Sequence, residues 1–202
     1  MCGRFEVDKA IVDTGVFEAF HILFHAINNH DQRPSQEVAC LHYQHEKLSQ
    51  TPALWGINPH WAHHTIFNAQ AETVATKKTF SSAYALHRCV VPCSAWFEWT
   101  GEPGHKIKHR FSPAIDDVLF MAGILFPLNS GGFQLVTLTC EADPNCGIYH
   151  HRMPLLIEAS KVKDWLALPR PANEINQFHD HHALQIHPPI SSTPATFERI
   201  SD

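Results

Sequence analysis

The sequence has no long apolar run, little charge, and none of the cysteine or histidine spacings that mark a metal centre. No stretch approaches the ~18 consecutive apolar residues that a membrane-spanning helix needs, so no such helix is expected. The opening MCGRFEVDK has no apolar stretch after a basic start, so it does not read as a secretion signal. A cytosolic protein is the expectation. Charged residues make up only 17% of the chain, and the net charge is −5 with His neutral. That excludes a broad basic surface, and any nucleic-acid contact must come from a local groove. The six cysteines include no CxxC pair: three residues separate Cys89 from Cys93 and five separate Cys140 from Cys146, and neither is the spacing of a zinc knuckle. No HExxH is present, no internal repeat recurs, and no low-complexity linker divides the chain. Reduced thiols, no metal and no cofactor are therefore expected.

What remains is an ordinary globular chain. Its 202 residues, 44% of them hydrophobic, suffice for one domain over residues 1–202 with one sizeable core. Asp8 is placed to cap a helix beginning near Lys9, and Thr14 to cap a further turn presenting Val16, Phe17, Phe20 and Phe24 on one face. Short runs rich in Val, Ile, Phe and Trp then read as strands. These are 38–43, 53–57, 65–68, 89–99, 118–126, 133–140 and 154–157. Ser160 reads as the cap of a short helix with Val162, Trp165 and Leu166 on one face, and another helix is expected over 172–178. Strands dominate with helices at the edges. This implies an α+β domain on a curved, barrel-like, mostly antiparallel sheet.

The start of the chain carries unusual chemistry. Cys2 is small enough for Met1 to be removed, which leaves one residue with both a thiol and a free α-amine. With ordinary pKa values of about 8.5 and about 7.7–8.0, both groups are partly deprotonated at neutral pH. An amine and a thiol on one residue can capture an aldehyde as an imine and then close to a five-membered thiazolidine. An incidental cysteine remains the alternative. Gly3 lets backbone approach a ligand closely. Arg4 can grip a phosphate with its planar fork or serve a surface ion pair.

Three later segments add candidates. In WGINPHWAHHTIFNAQAET, Trp55 and Trp61 offer faces for base stacking or for the core, and Asn68 can orient a sugar or the Cys2 amine. In RCVVPCSAWFEWTG, Glu98 sits between Phe97 and Trp99. Desolvation there would raise its pKa towards neutrality, whereas strict strand alternation would turn it to solvent. In GIYHHRMP, adjacent His150 and His151 would point opposite ways if extended, and Arg152 could meet a phosphate or a carboxylate.

Taken together, MCGRF, WGINPHW, NAQAET, RCVVPCSAWFEW, HHRMP and HPPIS at 187–191 resemble the SRAP family, the SOS-response-associated peptidases or abasic-site-processing proteins. The match runs along nearly the whole chain. It implies binding of single-stranded DNA at abasic sites by a monomer, with Cys2 forming a thiazolidine to the ring-opened sugar. It also implies autoproteolytic loss of Met1 and weak lyase activity. By motif, the catalytic set falls at Cys2, Asn68, Glu98 and His150. DNA contacts fall at Gly3, Arg4, Trp61, Gln70, Lys78, Trp99, Thr139 and Arg152. The chain departs from the family where Gln70 replaces an Arg, where Lys78 replaces an Arg, and where His30-Asp31-Gln32-Arg33-Pro34 replaces a YNVAP-like loop. Lys106, Lys108 and Arg110 either compensate or form a solvated loop. An N-terminal-nucleophile glutaminase, a non-catalytic single-strand binder, and a zinc hydrolase using His60–His64 or His179–His182 stay open as alternatives.

Overall fold

Asp8 starts the first helix as the sequence predicts. Its carboxylate accepts the amides of Ala10 and Ile11, and α1 (Lys9–Phe20) runs until His21 takes a left-handed conformation at φ 57°. In the computed structural model, residues 3–45, 47–167 and 184–187 are described. Thr14 lies exposed inside α1 and caps nothing, because the Asp8 cap lets one helix run through. Val12, Gly15, Val16 and Phe20 face the core, whereas Phe17 is 49% exposed and leaves the expected apolar face. At Gly15 a Cβ would stand 2.4 Å from Val118 Cγ1, so the helix seats closely only because this residue is glycine.

The strands form two sheets. β1 (Phe5–Val7), β2 (Asn29–Gln32), β7 (Ala95–Thr100), β8 (Ile107–Pro113) and β12 (Leu184–His187) make one, in the order β12-β8-β7-β1-β2. The other runs β11-β10-β4-β3-β6-β9, from β3 (Glu37–Gln44), β4 (Lys47–Trp55), β6 (Arg88–Cys93), β9 (Leu119–Pro127), β10 (Phe133–Glu141) and β11 (Arg152–Pro154). β9 also pairs with β10, so this sheet curls back on itself into a ring. Most pairings are antiparallel. The exceptions are β4 and β5 (Asn68–Gln70), both parallel to β10. The chain is thus the α+β, curved, largely antiparallel domain expected.

The run 89–99 is not one strand. It splits at Ser94 into β6 and β7, which belong to different sheets. Ser94 Oγ accepts the Asp8 amide at 3.0 Å and lies 3.1 Å from the Glu6 carbonyl, so side-chain bonds hold the crossover, two residues after Pro92. The expected strand 65–68 begins only at Asn68; Ile66 makes an isolated bridge to Ile57. Ser160 does not cap the last helix. It lies within a 3-10 turn (Ala159–Lys161) that leads into α5 (Val162–Leu166). The helix expected over 172–178 lies outside the described residues. Two short helices, α2 (Ala71–Val74) and α3 (Ser81–Leu86), and strand β8 were not foreseen, because each is too short or too charged to show a period. A last short helix, α4 (Pro144–Gly147), is capped by Asp143.

One core links both sheets. Trp55, Trp96 and Trp165 are almost fully buried. Trp55 packs against Phe5 at 4.9 Å and Phe67 at 5.7 Å between ring centres, so it is a core residue and not a stacking surface. The five described cysteines, Cys40, Cys89, Cys93, Cys140 and Cys146, are buried. Among the described residues, no helix is long and apolar enough to cross a membrane.

Candidate active site

Gly3, Arg4, Glu98, Trp99, Lys106 and His150 line one open cleft of about 470 Å³. Two sheet strands and one loop build it. Arg4 lies just before β1 and its carbonyl accepts the Phe97 amide at 3.0 Å, which fixes the chain start beside β7. β7 then presents Glu98 and Trp99, and the loop after α4 brings in His150. Cys2 lies outside the described residues. Covalent geometry nevertheless keeps its Cα about 3.8 Å from that of Gly3.

Glu98 is buried, with 4% exposure, opposite His109 on β8. β7 is covered on both faces over most of its length, so alternation does not turn the carboxyl outward. Burial penalises the carboxylate and raises its pKa from 4.5 to about 7. His150 Nδ1 lies 3.0 Å from both the backbone amide and the carbonyl of Arg152, which holds the ring in place. Burial holds its pKa below the ordinary value. His150 and His151 do not point opposite ways. The chain is not extended there, and the two rings stack 4.4 Å apart.

A second group lies along β10. β5 and β11 both join its end, so Asn68, Gln70, Thr139 and Arg152 are brought together: Thr137 faces Asn68, and Thr139 faces both Gln70 and Pro154. The Thr137 hydroxyl is 2.5 Å from Asn68 Oδ1. Thr139 is only 2% exposed, and Arg152 donates to its carbonyl at 2.6 Å. Arg152 also grips Glu72 in α2 with two bonds of 2.8 Å, so of its two expected partners the structure gives it the carboxylate. Gln70 is exposed at the end of β5. Among the described residues, Asn68 does not line the Glu98 cleft, and the His150–Arg152 bond joins the two groups.

Trp61 and Lys78 stand apart from both. They line a separate cleft of about 790 Å³ with Asn58, Pro59, His60, Thr79 and Gln134, and Trp61 is 55% exposed. Gly56 makes the turn into this segment at φ 121°, where any other residue would be strained. Lys106, Lys108 and Arg110 do not share one fate. Lys106 lines the Glu98 cleft, Lys108 reaches Asp31, and Arg110 is held by Glu6 at 2.6 Å. Glu72 and Asp31 were missed from the sequence. Their partners are distant in the chain, and only the charged loop and the ET of NAQAET hinted at them. Among the described residues, no group of three or more His, Cys, Asp or Glu side chains is placed to hold a metal ion; His179–His182 fall outside them.

Comparison with known proteins gives a consistent answer. The family model for SOS response associated peptidase (SRAP) matches residues 1–192. The abasic site processing protein YedK of Escherichia coli is 29% identical over 178 residues, covering 82% of this chain and 79% of that protein. The abasic site processing protein YoqW of Bacillus subtilis is 27% identical over 183 residues, covering 82% and 80%. A crystal structure of a protein from Bordetella bronchiseptica shares the fold with a TM-score of 0.75 at 22% identity, covering 93% of this chain and 99% of that one.

Proposed function

This chain belongs to the SOS response associated peptidase family, and on that premise we propose that it processes abasic sites in single-stranded DNA through a covalent bond to Cys2. The observation that carries this reading is Glu98. A buried acid titrating at about 7 lines the same cleft as Gly3, one residue from the proposed nucleophile.

The chemistry then runs as follows. Hydrolysis of the Met1–Cys2 bond consumes one water and frees the α-amine, with Glu98 supplying a proton to that leaving nitrogen. The amine adds to the aldehyde carbon of the ring-opened deoxyribose. Glu98, half protonated near neutrality, donates a proton to the resulting hydroxyl, which leaves as water and gives the imine. The Cys2 thiolate adds to the imine carbon, the C=N electron pair moves to nitrogen, and nitrogen takes a proton. The product is a thiazolidine, and one water is lost overall from protein and lesion. His150 serves the ring opening by proton transfer to the sugar ring oxygen, and the contacts of its Nδ1 with the Arg152 backbone orient the ring. Asn68 positions the lesion or amine. The imine also acidifies the adjacent C2′ hydrogen, so slow β-elimination is a side path. Gly3, Arg4 and Trp99 beside the cleft, Gln70, Thr139 and Arg152 along β10, and Trp61 with Lys78 are read as the strand's path.

Intact mass of the mature protein after incubation with an abasic oligonucleotide tests this. The expected product has the summed mass of both partners less one water, and Cys2→Ala gives none. A denaturation-resistant adduct that persists in Cys2→Ala overturns the reading, as does release of ammonia from glutamine without any adduct.

A further inference from the structure

Asp31, between β2 residues Asn29 and Gln32, gathers three cations from three parts of the chain. Arg4 donates to Oδ2 at 2.5 Å. Arg33 reaches the same oxygen through Nε at 3.0 Å and Nη2 at 2.6 Å. Lys108, on β8, reaches Oδ1 at 3.3 Å. Arg4 and Lys108 each lie 5.8 Å from the centre of the Trp99 ring, and Lys108 sits 3.6 Å from the centre of Phe97. Among the described residues, three cations thus meet on one carboxylate against an aromatic face, in a chain of net charge −5. The side chains are all partly open, at 30% for Arg4, 31% for Asp31, 57% for Arg33 and 40% for Lys108. Open pairs of this kind add little to stability, which leaves the convergence itself without a structural purpose.

We infer that Arg4, Arg33 and Lys108 form a site for a backbone phosphate of the bound strand, with Asp31 as a built-in competitor that holds the three cations in place until the phosphate displaces it. The inference rests on the single-strand reading above. A phosphodiester offers tetrahedral oxygens that suit the Arg33 fork, and the neighbouring base can stack beside Trp99. Asp31 has two opposed effects. It orders long side chains in advance, which lowers the entropy cost of binding, and it subtracts from the attraction. The carboxylate is strongly held in the free protein: burial works to raise its pKa, but Arg33, Arg4 and Lys108 together bring it to about 2. Its departure is therefore a real cost to the strand, and the site sets how tightly undamaged DNA is held.

The test uses an undamaged oligothymidylate, with affinity measured across a salt series for the full chain. Arg33→Ala and Lys108→Ala should each weaken binding roughly threefold to tenfold, as for one partly exposed charge-assisted contact. Each should flatten the slope of log affinity against log salt by about 0.7. Asp31→Asn should tighten binding and steepen that slope. Thermal melting confirms that each variant is folded. If the unaltered protein binds but both alanine variants keep its slope, the phosphate site is overturned alone. If Asp31→Asn binds more weakly, the competitor role is overturned. If the unaltered protein binds no single strand at low salt, the function proposed above falls together with this site.

Discussion

Arg152 and Glu72, 80 residues apart in the chain, meet through two parallel bonds of 2.8 Å each. The same Arg152 donates its backbone amide to His150 and its guanidinium to the Thr139 carbonyl. The HHRMP and NAQAET motifs are thereby one unit, and the pair fixes the ring that serves the cleft.

Glu72→Ala should therefore slow adduct formation while leaving Cys2 and Glu98 in place. Its cost in stability should be small, about 1 kcal/mol, because Glu72 is 42% exposed and water screens the pair. Burial acts to raise the Glu72 pKa, but Arg152 outweighs it and the value is lowered. Stability from the pair is thus full above the ordinary 4.5 and is lost as pH falls through the folded value. Urea titrations at pH 7 and pH 3 should show the variant and the parent differing less in acid.

Glu98→Gln should separate activity from stability. Adduct formation should fall by about 10²- to 10⁴-fold, the usual contribution of a positioned acid. Below pH 4.5 the acid is protonated in both folded and unfolded chains; between 4.5 and about 7 only the unfolded chain releases the proton. The parent accordingly loses stability as pH rises across that window. At pH 8 the Gln variant should melt higher, with a gain of roughly 1–3 kcal/mol. An equal melting temperature at pH 8 would show that Glu98 is not held neutral by burial.

The pH dependence of adduct formation should follow two opposed groups. Glu98 must be protonated, and it titrates at about 7. The α-amine must be free, and its ordinary value is about 7.7–8.0. The rate should peak near that interval and fall on either side, and the alkaline limb should vanish in Glu98→Gln. Single-turnover rates from pH 5.5 to 9 check this.

Thiol labelling should single out one cysteine. Burial raises the Cys140 and Cys146 thiols to about 12 and drives those of Cys89 and Cys93 far up as well. Cys40 is equally buried. Brief treatment of the folded protein with iodoacetamide should add one carbamidomethyl group, on Cys2, and abolish the adduct; in denaturant all six cysteines should react. Labelling of Cys140 or Cys146 at a comparable rate would contradict the burial.

Trp61→Ala should leave the melting temperature unchanged, because the ring is 55% exposed, and should weaken single-strand binding by about 1–3 kcal/mol. Gln70→Arg, at an exposed strand end, should tighten binding and steepen the salt slope by about 0.7. Unaltered affinity in both would move the strand's path away from these positions.

Much of this was legible in the sequence, and what was not has a common cause. The Asp8 cap, the strand-rich pattern and the motif residues are local signals, and local reading found them. Glu98 was ambiguous because alternation assumes one wet face, and β7 is covered on both over most of its length. The break at Ser94 was missed because side-chain bonds to the distant Glu6 and Asp8 hold it, and Pro92 beside it stays within β6. The Arg152–Glu72 clamp and the Asp31 cluster join residues far apart in the chain, so no window along the sequence contains them.

The pairing of β1 with β7 has a consequence for synthesis. Ser94 reaches back 88 residues to Glu6, and Phe5 pairs with Trp96. β2 can pair with β1 from the other side as soon as residue 32 is made, but until β7 has left the ribosome the chain start lacks Glu98 beside it. Nearly half the protein must therefore be made before its first residues meet the acid of the cleft, and reactivity that depends on Glu98 reports that β7 has docked on β1.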